Sequence, residues 1–167
     1  MNSPSILIDG RNCWRVEQAE KVAFLVDAAA YFHAFRVAAG LAERQLYICG
    51  WDINSKIDLL REDPDDGLPV RLGDFLDALV DERPDLHIHI LIWDFVRFMG
   101  MDRQWFPQFR LGWTSHPNIH FHLDSYYPVG ASHHHKFVVI DDCLLFAGGL
   151  DLTKKRWDTQ EHLAGDE

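Results

Sequence analysis

The run Ser132-His133-His134-His135-Lys136-Phe137-Val138-Val139-Ile140-Asp141-Asp142, followed by Leu144-Leu145-Phe146-Ala147-Gly148-Gly149-Leu150-Asp151-Leu152, holds the densest chemistry in the chain. His134 and Lys136 stand two residues apart on a stretch that reads as a strand from His133 to Ile140. Side chains alternate faces along a strand, so His134 and Lys136 point one way while His135 and Phe137 point the other. An imidazole nucleophile beside a fixed ammonium suits attack on a phosphorus that carries anionic oxygens. Gly148 and Gly149, lacking side chains, would let a ligand approach the backbone closely.

Strands and helices must alternate to position these groups. Apolar and β-branched runs predict strands at Val22–Val26, Gln45–Trp51, Leu86–Trp93, Ile119–Leu123, His133–Ile140 and Leu144–Ala147. Asp27 is placed to cap a helix in which Phe32, Phe35, Ala39 and Ala42 share one face. Leu72, Phe75, Leu76, Leu79 and Val80 give a second amphipathic helix, ending near Arg83-Pro84, and Asp63-Pro64-Asp65-Asp66-Gly67 is a loop by its turn chemistry. The pattern predicts an α/β fold, a three-layer α/β/α sandwich with a mixed central sheet. Between Arg97 and Pro117 the aromatic residues Trp105, Phe109 and Trp113 recur every fourth residue, interrupted by Pro107, and read as core or as an apolar wall for acyl chains.

The chain has 167 residues, 47% of them apolar and 25% charged, which is globular composition for one domain. Its 16 basic against 26 acidic residues leave a net charge of −10, a field that repels polyanions and weighs against nucleic acid as partner. Cys13, Cys49 and Cys143 are odd in number and lack C-x-x-C spacing, which argues against a disulfide framework and fits a reducing compartment. With no visible secretory signal and no apolar run of membrane-spanning length, the expected location is cytoplasmic, with a membrane surface reached through the substrate.

The spacing His134-x-Lys136, four residues to Asp141, six more to Gly148-Gly149-x-Asp151, resembles the signature of the phospholipase D superfamily, H-x-K-x4-D-x6-G-S-x-N. Gly149 stands where that signature has serine, and Asp151 where it has asparagine. The longer string Gly148-Gly149-Leu150-Asp151-Leu152-Thr153 with Arg156-Trp157-Asp158 looks like the first of two motifs in phospholipid-acting members. Ile8-Asp9-Gly10-Arg11-Asn12-Cys13-Trp14 and Ile48-Cys49-Gly50-Trp51-Asp52-Ile53 look like the opening of bacterial members.

The resemblance implies a phosphohistidine on His134, Lys136 clamping the non-bridging oxygens, and a phosphate-facing backbone at Gly148 and Gly149. No metal or other cofactor is needed for that route. Asp141, at odd offset from His134, reads as structural whatever its place in the signature, and Asp151 either contacts Lys136 or replaces the hydrogen bonding of asparagine. The implied substrate is a phospholipid or other phosphodiester, with a nuclease as the runner-up.

A second histidine must protonate the leaving group, and in the family it comes from a second motif-bearing half or a homodimer mate. No second H-x-K occurs in the 167 residues. The chain therefore reads as one phospholipase D-type repeat, the first catalytic half, incomplete at its C-terminal edge, and the rival expectation is a catalytically silent half-domain or subunit. A rival chemistry is zinc on His87/His89 and His120/His122, pairs that each share a strand face.

Overall fold

The computed structural model describes residues 6–62, 64–93, 116–128 and 131–164. The elements are α1 (Asp27–Ala39), β1 (Gln45–Gly50), α2 (Leu72–Glu82), β2 (His87–Trp93), β3 (Ile119–Asp124), β4 (Phe137–Ile140) and β5 (Leu144–Ala147). They form a mixed five-stranded sheet in the order β3-β2-β1-β4-β5. β1, β2 and β3 run parallel, whereas β4 runs antiparallel to β1 and β5 antiparallel to β4. The fold is α/β with a mixed sheet, as the alternation of patterns predicts. The stripe Trp105, Phe109 and Trp113 lies outside the described residues.

Burial follows the two periodicities. Phe32, Phe35, Ala39 and Ala42 are at most 2% exposed, as are Leu72, Phe75, Leu76, Leu79 and Val80 of α2. Both sets pack in one core with Leu46, Ile48, Ile88, Ile90, Val138 and Ile140, the alternate residues of β1, β2 and β4. Both described helices thus cover the same face of the sheet. The second helical layer of the expected sandwich is not among the described residues. On the opposite face Tyr47, Leu91 and Phe137 are exposed, and Leu145 is 62% exposed.

Three local expectations are corrected. Val22–Val26 is not a strand: it lies outside the ladder, with Val22 and Phe24 73% and 93% exposed. Strand-forming residue types make a strand only where an edge pairs with them, and this segment instead borders a cleft beside β5. Asp27 is the first residue of α1 rather than its cap; Val26 holds the cap position without a side-chain bond, and the amide of Ala29 donates to the Asp158 carbonyl. The strand predicted from His133 begins at Phe137. Its partner β1 ends at Gly50, and the last registered pair is Cys49 with Phe137, so residues 131–136 have no strand to pair with on that side.

Asp141 closes the other end of β4. Its carboxylate accepts hydrogen bonds from the amides of Glu43, Arg44 and Gln45, each at 2.8 Å, and its own amide donates to the Gln45 carbonyl at 2.9 Å. Burial pushes this carboxyl upward, but the three amides outweigh it and hold the group below the ordinary aspartate value. The residue adopts φ 49°, a left-handed conformation that Asp and Asn tolerate better than most residues.

Asp141→Asn keeps that conformation but reduces the acceptors, and is expected to cost about 1–3 kcal/mol, a fall in melting temperature of roughly 3–10 °C. Because the folded-state value is depressed, the contribution is complete above the unfolded-state value and disappears as pH falls through the folded one. Thermal unfolding of both proteins should therefore show the gap narrowing on the acid side of the ordinary aspartate value.

Candidate active site

Five strand ends meet at one edge of the sheet: the C-terminal ends of β1, β2, β3 and β5, and the N-terminal end of β4. Carboxyl ends of parallel strands in open α/β sheets are the usual place for a ligand crevice. Lys136 immediately precedes β4, Gly148 immediately follows β5, and Trp51 immediately follows β1. His134 is exposed at this edge, its ring 6.0 Å from that of Trp51.

The fixed point of the site is Asp151. It is 4% exposed, yet both of its oxygens are satisfied. Oδ1 accepts the Trp51 amide at 2.9 Å, and Oδ2 pairs with Lys136 Nζ at 3.2 Å, where the lysine side chain is 7% exposed. Of the two roles open to Asp151 in the sequence, the structure gives it the contact with Lys136. Both oxygens face protein groups. The ammonium also lies 3.5 Å from the His134 carbonyl oxygen, which ties the lysine to the backbone of the histidine.

The segment carrying Asp151 is sewn onto the end of β1. Thr153 Oγ1 donates to Asp52 Oδ2 at 2.6 Å, and the amide of Asn54 donates to the Leu152 carbonyl at 2.9 Å. Gly50 permits the approach: a Cβ there would sit 2.9 Å from Asp151 Oδ1 and 2.9 Å from Ile53 Cγ1. Gly50 is one functional position that the chemistry of the residues did not single out, although its neighbourhood is visible in the sequence as Gly50-Trp51-Asp52.

Gly148 and Gly149 lie along a cleft of about 410 Å³, bordered also by Lys136, Tyr31, Val22 and Phe24. A Cβ at either glycine would meet nothing within 4 Å, so the space it would enter is the cleft itself. The Gly148 amide donates to the Lys136 carbonyl at 3.3 Å, which continues the β4–β5 pairing one step beyond the strands. Burial, and then the charge of Asp151, raise the Tyr31 phenol far above its ordinary value, so its hydroxyl keeps its proton.

Asp141 stands apart from this assembly. It lies at the opposite end of β4, with its carboxylate on the amides that open β1. Its position in the signature therefore reports on how β4 is seated against β1, in line with its odd offset from His134.

Aromatic rings border the histidine. Trp51 stacks on Trp93 at 5.8 Å, and Trp93 meets Tyr127 at 5.7 Å. His133 Nδ1 pairs with Asp124 Oδ2 at 2.5 Å, and its ring lies 6.2 Å from that of Tyr127. These residues sit at or just beyond strand ends, a location that only the topology identifies. Cys49, the other nucleophile type nearby, is held as a thiol: burial first, then Asp124 and Asp151, push it up against the opposing charge of Lys136.

Donors for a cation occur elsewhere. Atoms of Asp27, Asp158 and His162 lie within 4.8 Å of one another. There the imidazole itself answers the carboxylates, with His162 Nδ1 2.8 Å from Asp158 Oδ2. Hydrogen bonding to Asp158, and then the charges of Asp158 and Asp27, raise the His162 value. Among the described residues no helix is long and apolar enough to cross a membrane.

No protein-family model matches the chain. Curated proteins do. It is 32% identical over 152 residues to phospholipase D1 of Saccharomyces cerevisiae, a match covering 86% of this chain and 9% of that protein. It is 30% identical over 154 residues to phospholipase D zeta 1 of Arabidopsis thaliana, covering 90% of this chain and 14% of the relative. Human phospholipase D1 is 29% identical over 151 residues, covering 84% of this chain and 13% of the relative. The chain therefore spans about a tenth of the length of the curated relatives it matches. Agreement across most of the chain with proteins of three kingdoms accompanies a mixed α/β sheet whose strand ends gather His134, Lys136 and Asp151, and the chain belongs to the phospholipase D superfamily.

Proposed function

We propose that this chain supplies the nucleophilic half of a phospholipase D-type phosphodiesterase or transphosphatidylase, acting on phospholipid head groups through His134. The observation that carries the reading is the buried Lys136–Asp151 pair beside an exposed His134 at the common end of five strands. Asp151 restrains an ammonium that would otherwise sweep through many rotamers, so the positive charge is in place before the phosphate arrives. An imidazole nitrogen of His134 attacks phosphorus, the P–N bond forms as the P–O bond to the leaving alcohol breaks, and Lys136 stabilises the charge gathering on the non-bridging oxygens. Water or an acceptor alcohol then attacks the phosphohistidine and releases His134.

An alkoxide is a poor leaving group, so the first step needs a proton from a positioned acid. The 167 residues contain a single H-x-K, and a second motif-bearing half or a second copy of the chain would supply that acid. The same fact favours one alternative, a half-site that is silent until such a partner arrives. A nuclease reading is weaker because the net charge is −10. Membrane contact would follow from a phospholipid substrate rather than from a spanning segment.

An activated aryl phosphodiester separates nucleophile from acid, because a nitrophenolate leaves without protonation. The purified chain is expected to release up to one equivalent of nitrophenol in a burst and to carry the phosphoryl group on the peptide containing His134. His134→Ala, folded by circular dichroism, should lose the burst by roughly 10³-fold or more. A burst surviving in that variant overturns the assignment of His134. Steady turnover of phosphatidylcholine by the wild-type chain would show that two copies complete a site, and its absence beside a normal burst would show that a different half is required.

Substitution at Asp151 tests the positioning separately. Asp151→Ala leaves a buried ammonium without its counter-charge and is expected to destabilise the fold by about 3–5 kcal/mol. Asp151→Asn retains an acceptor for the Trp51 amide and should cost less than the alanine, as measured by denaturant unfolding.

A further inference from the structure

The sheet face away from the helices carries a group of imidazoles that the proposed reaction does not use. In the registered row Tyr47, His89 and His120 on β1, β2 and β3, side chains at facing positions lie on the same face. Tyr47 stacks on His89 at 4.8 Å, and His89 stacks on His120 at 4.7 Å. His87 and His122 belong to the same face, two residues from His89 and His120 respectively. Diagonally across the two strands, His87 Nδ1 lies 3.1 Å from His120 Nε2.

We propose that His87 and His120 form a binding site for a zinc-type divalent cation that bridges β2 and β3. Two nitrogens 3.1 Å apart, each at the usual zinc–imidazole distance of about 2.05 Å, subtend an angle of roughly 100° at the metal. That is close to a tetrahedral angle; the rings, now inclined by 12° with centroids 5.4 Å apart, must turn about their side-chain bonds to aim both nitrogens at the metal. The donors are the type that Zn²⁺, Cu²⁺ and Ni²⁺ prefer over Mg²⁺ or Ca²⁺. Without a metal, one ring donates its N–H to the other across the 3.1 Å gap. Binding moves that hydrogen to the outer nitrogen of its own ring, a tautomer change that releases no proton when both rings are neutral.

The surroundings favour a bound cation. His87 is exposed and His120 half-buried, so the metal is reachable and retains coordination positions for water or another donor. The net charge of −10 concentrates cations near the protein. The site lies away from the reaction centre: six residues of β2, about 20 Å of extended chain, separate His87 from Trp93. The cation thus acts as a staple on the sheet and takes no part in phosphoryl transfer.

The test is calorimetric titration of the chelator-treated chain with zinc chloride, together with nitrogen chemical shifts of its histidine side chains. One cation per chain is expected, with the largest shifts at His87 Nδ1 and His120 Nε2. Either His87→Gln or His120→Gln should weaken binding at least ~tenfold, while Asp27→Asn with His162→Gln should leave it unchanged. The proposal is overturned by zinc binding of equal strength in both histidine variants, by binding that depends on Asp27 and His162, or by no saturable binding up to about 1 mM zinc. The shifts on the unsubstituted chain decide the matter even if a variant folds poorly.

Discussion

One carboxylate, that of Asp151, couples three separate parts of the chain. It receives the amide of Trp51 where β1 ends, and it pairs with Lys136 where β4 is about to begin. Its own segment follows β5 and is bonded to residues 52–54. A charge this deeply buried persists only if its partners are in place, because an unpaired carboxylate would lose several kilocalories per mole of solvation. The end of β1 therefore has to turn where it does, and Gly50 has to lack a side chain. Lys136 loses its freedom by the same contact. The group that orders the site and the group that orders the local fold are one.

A second aspartate works at the other end of the same strand. Asp141 draws three amides of residues 43–45 onto its carboxylate and seats the head of β1 against the turn after β4. A strand of four residues has few ladder bonds to define its register, and a slip by one would move every side chain to the opposite face. With an aspartate anchoring each end, Val138 and Ile140 stay in the core and Phe137 stays out of it. Lys136, continuing the alternation from Val138, then lies on the core side, where Asp151 is waiting.

The two faces of the sheet have different roles. One carries both described helices and the core, which makes the platform rigid enough to hold strand ends in fixed relation. The other presents imidazoles toward β3 and apolar residues toward β5, with Leu145 among the most exposed. The chemistry proposed for His134 depends on the edge where these faces meet, whereas the cation site depends on the second face alone.

Much of this was legible in the residues. The helical spacing of Phe32, Phe35, Ala39 and Ala42 and of Leu72 through Val80 named the core faces, since burial every third or fourth residue leaves a mark in any helix. The long and specific spacing from His134 to Asp151 raised the expectation of a phosphoryl-transfer site, and the fold brings Lys136 and Asp151 into contact. Even the odd offset of Asp141 pointed away from His134. Strand boundaries were less legible. Val22–Val26 has the composition of a strand and no partner, and His133–Lys136 loses its partner when β1 stops. Whether a strand exists is decided by a neighbour distant in sequence.

What the sequence determined by itself was local: which residues prefer helix or strand, which faces are apolar, and which side chains have the chemistry proposed for nucleophile and clamp. What only the tertiary structure decided was pairing. It chose Lys136 as the partner of Asp151, put Trp51 beside His134 with Trp93 and then Tyr127 beyond it, and brought His87 within 3.1 Å of His120. Each such contact joins residues from different strands or the loops beyond them, and their distance is set by strand order and register. Periodicity along one segment carries no information about either quantity.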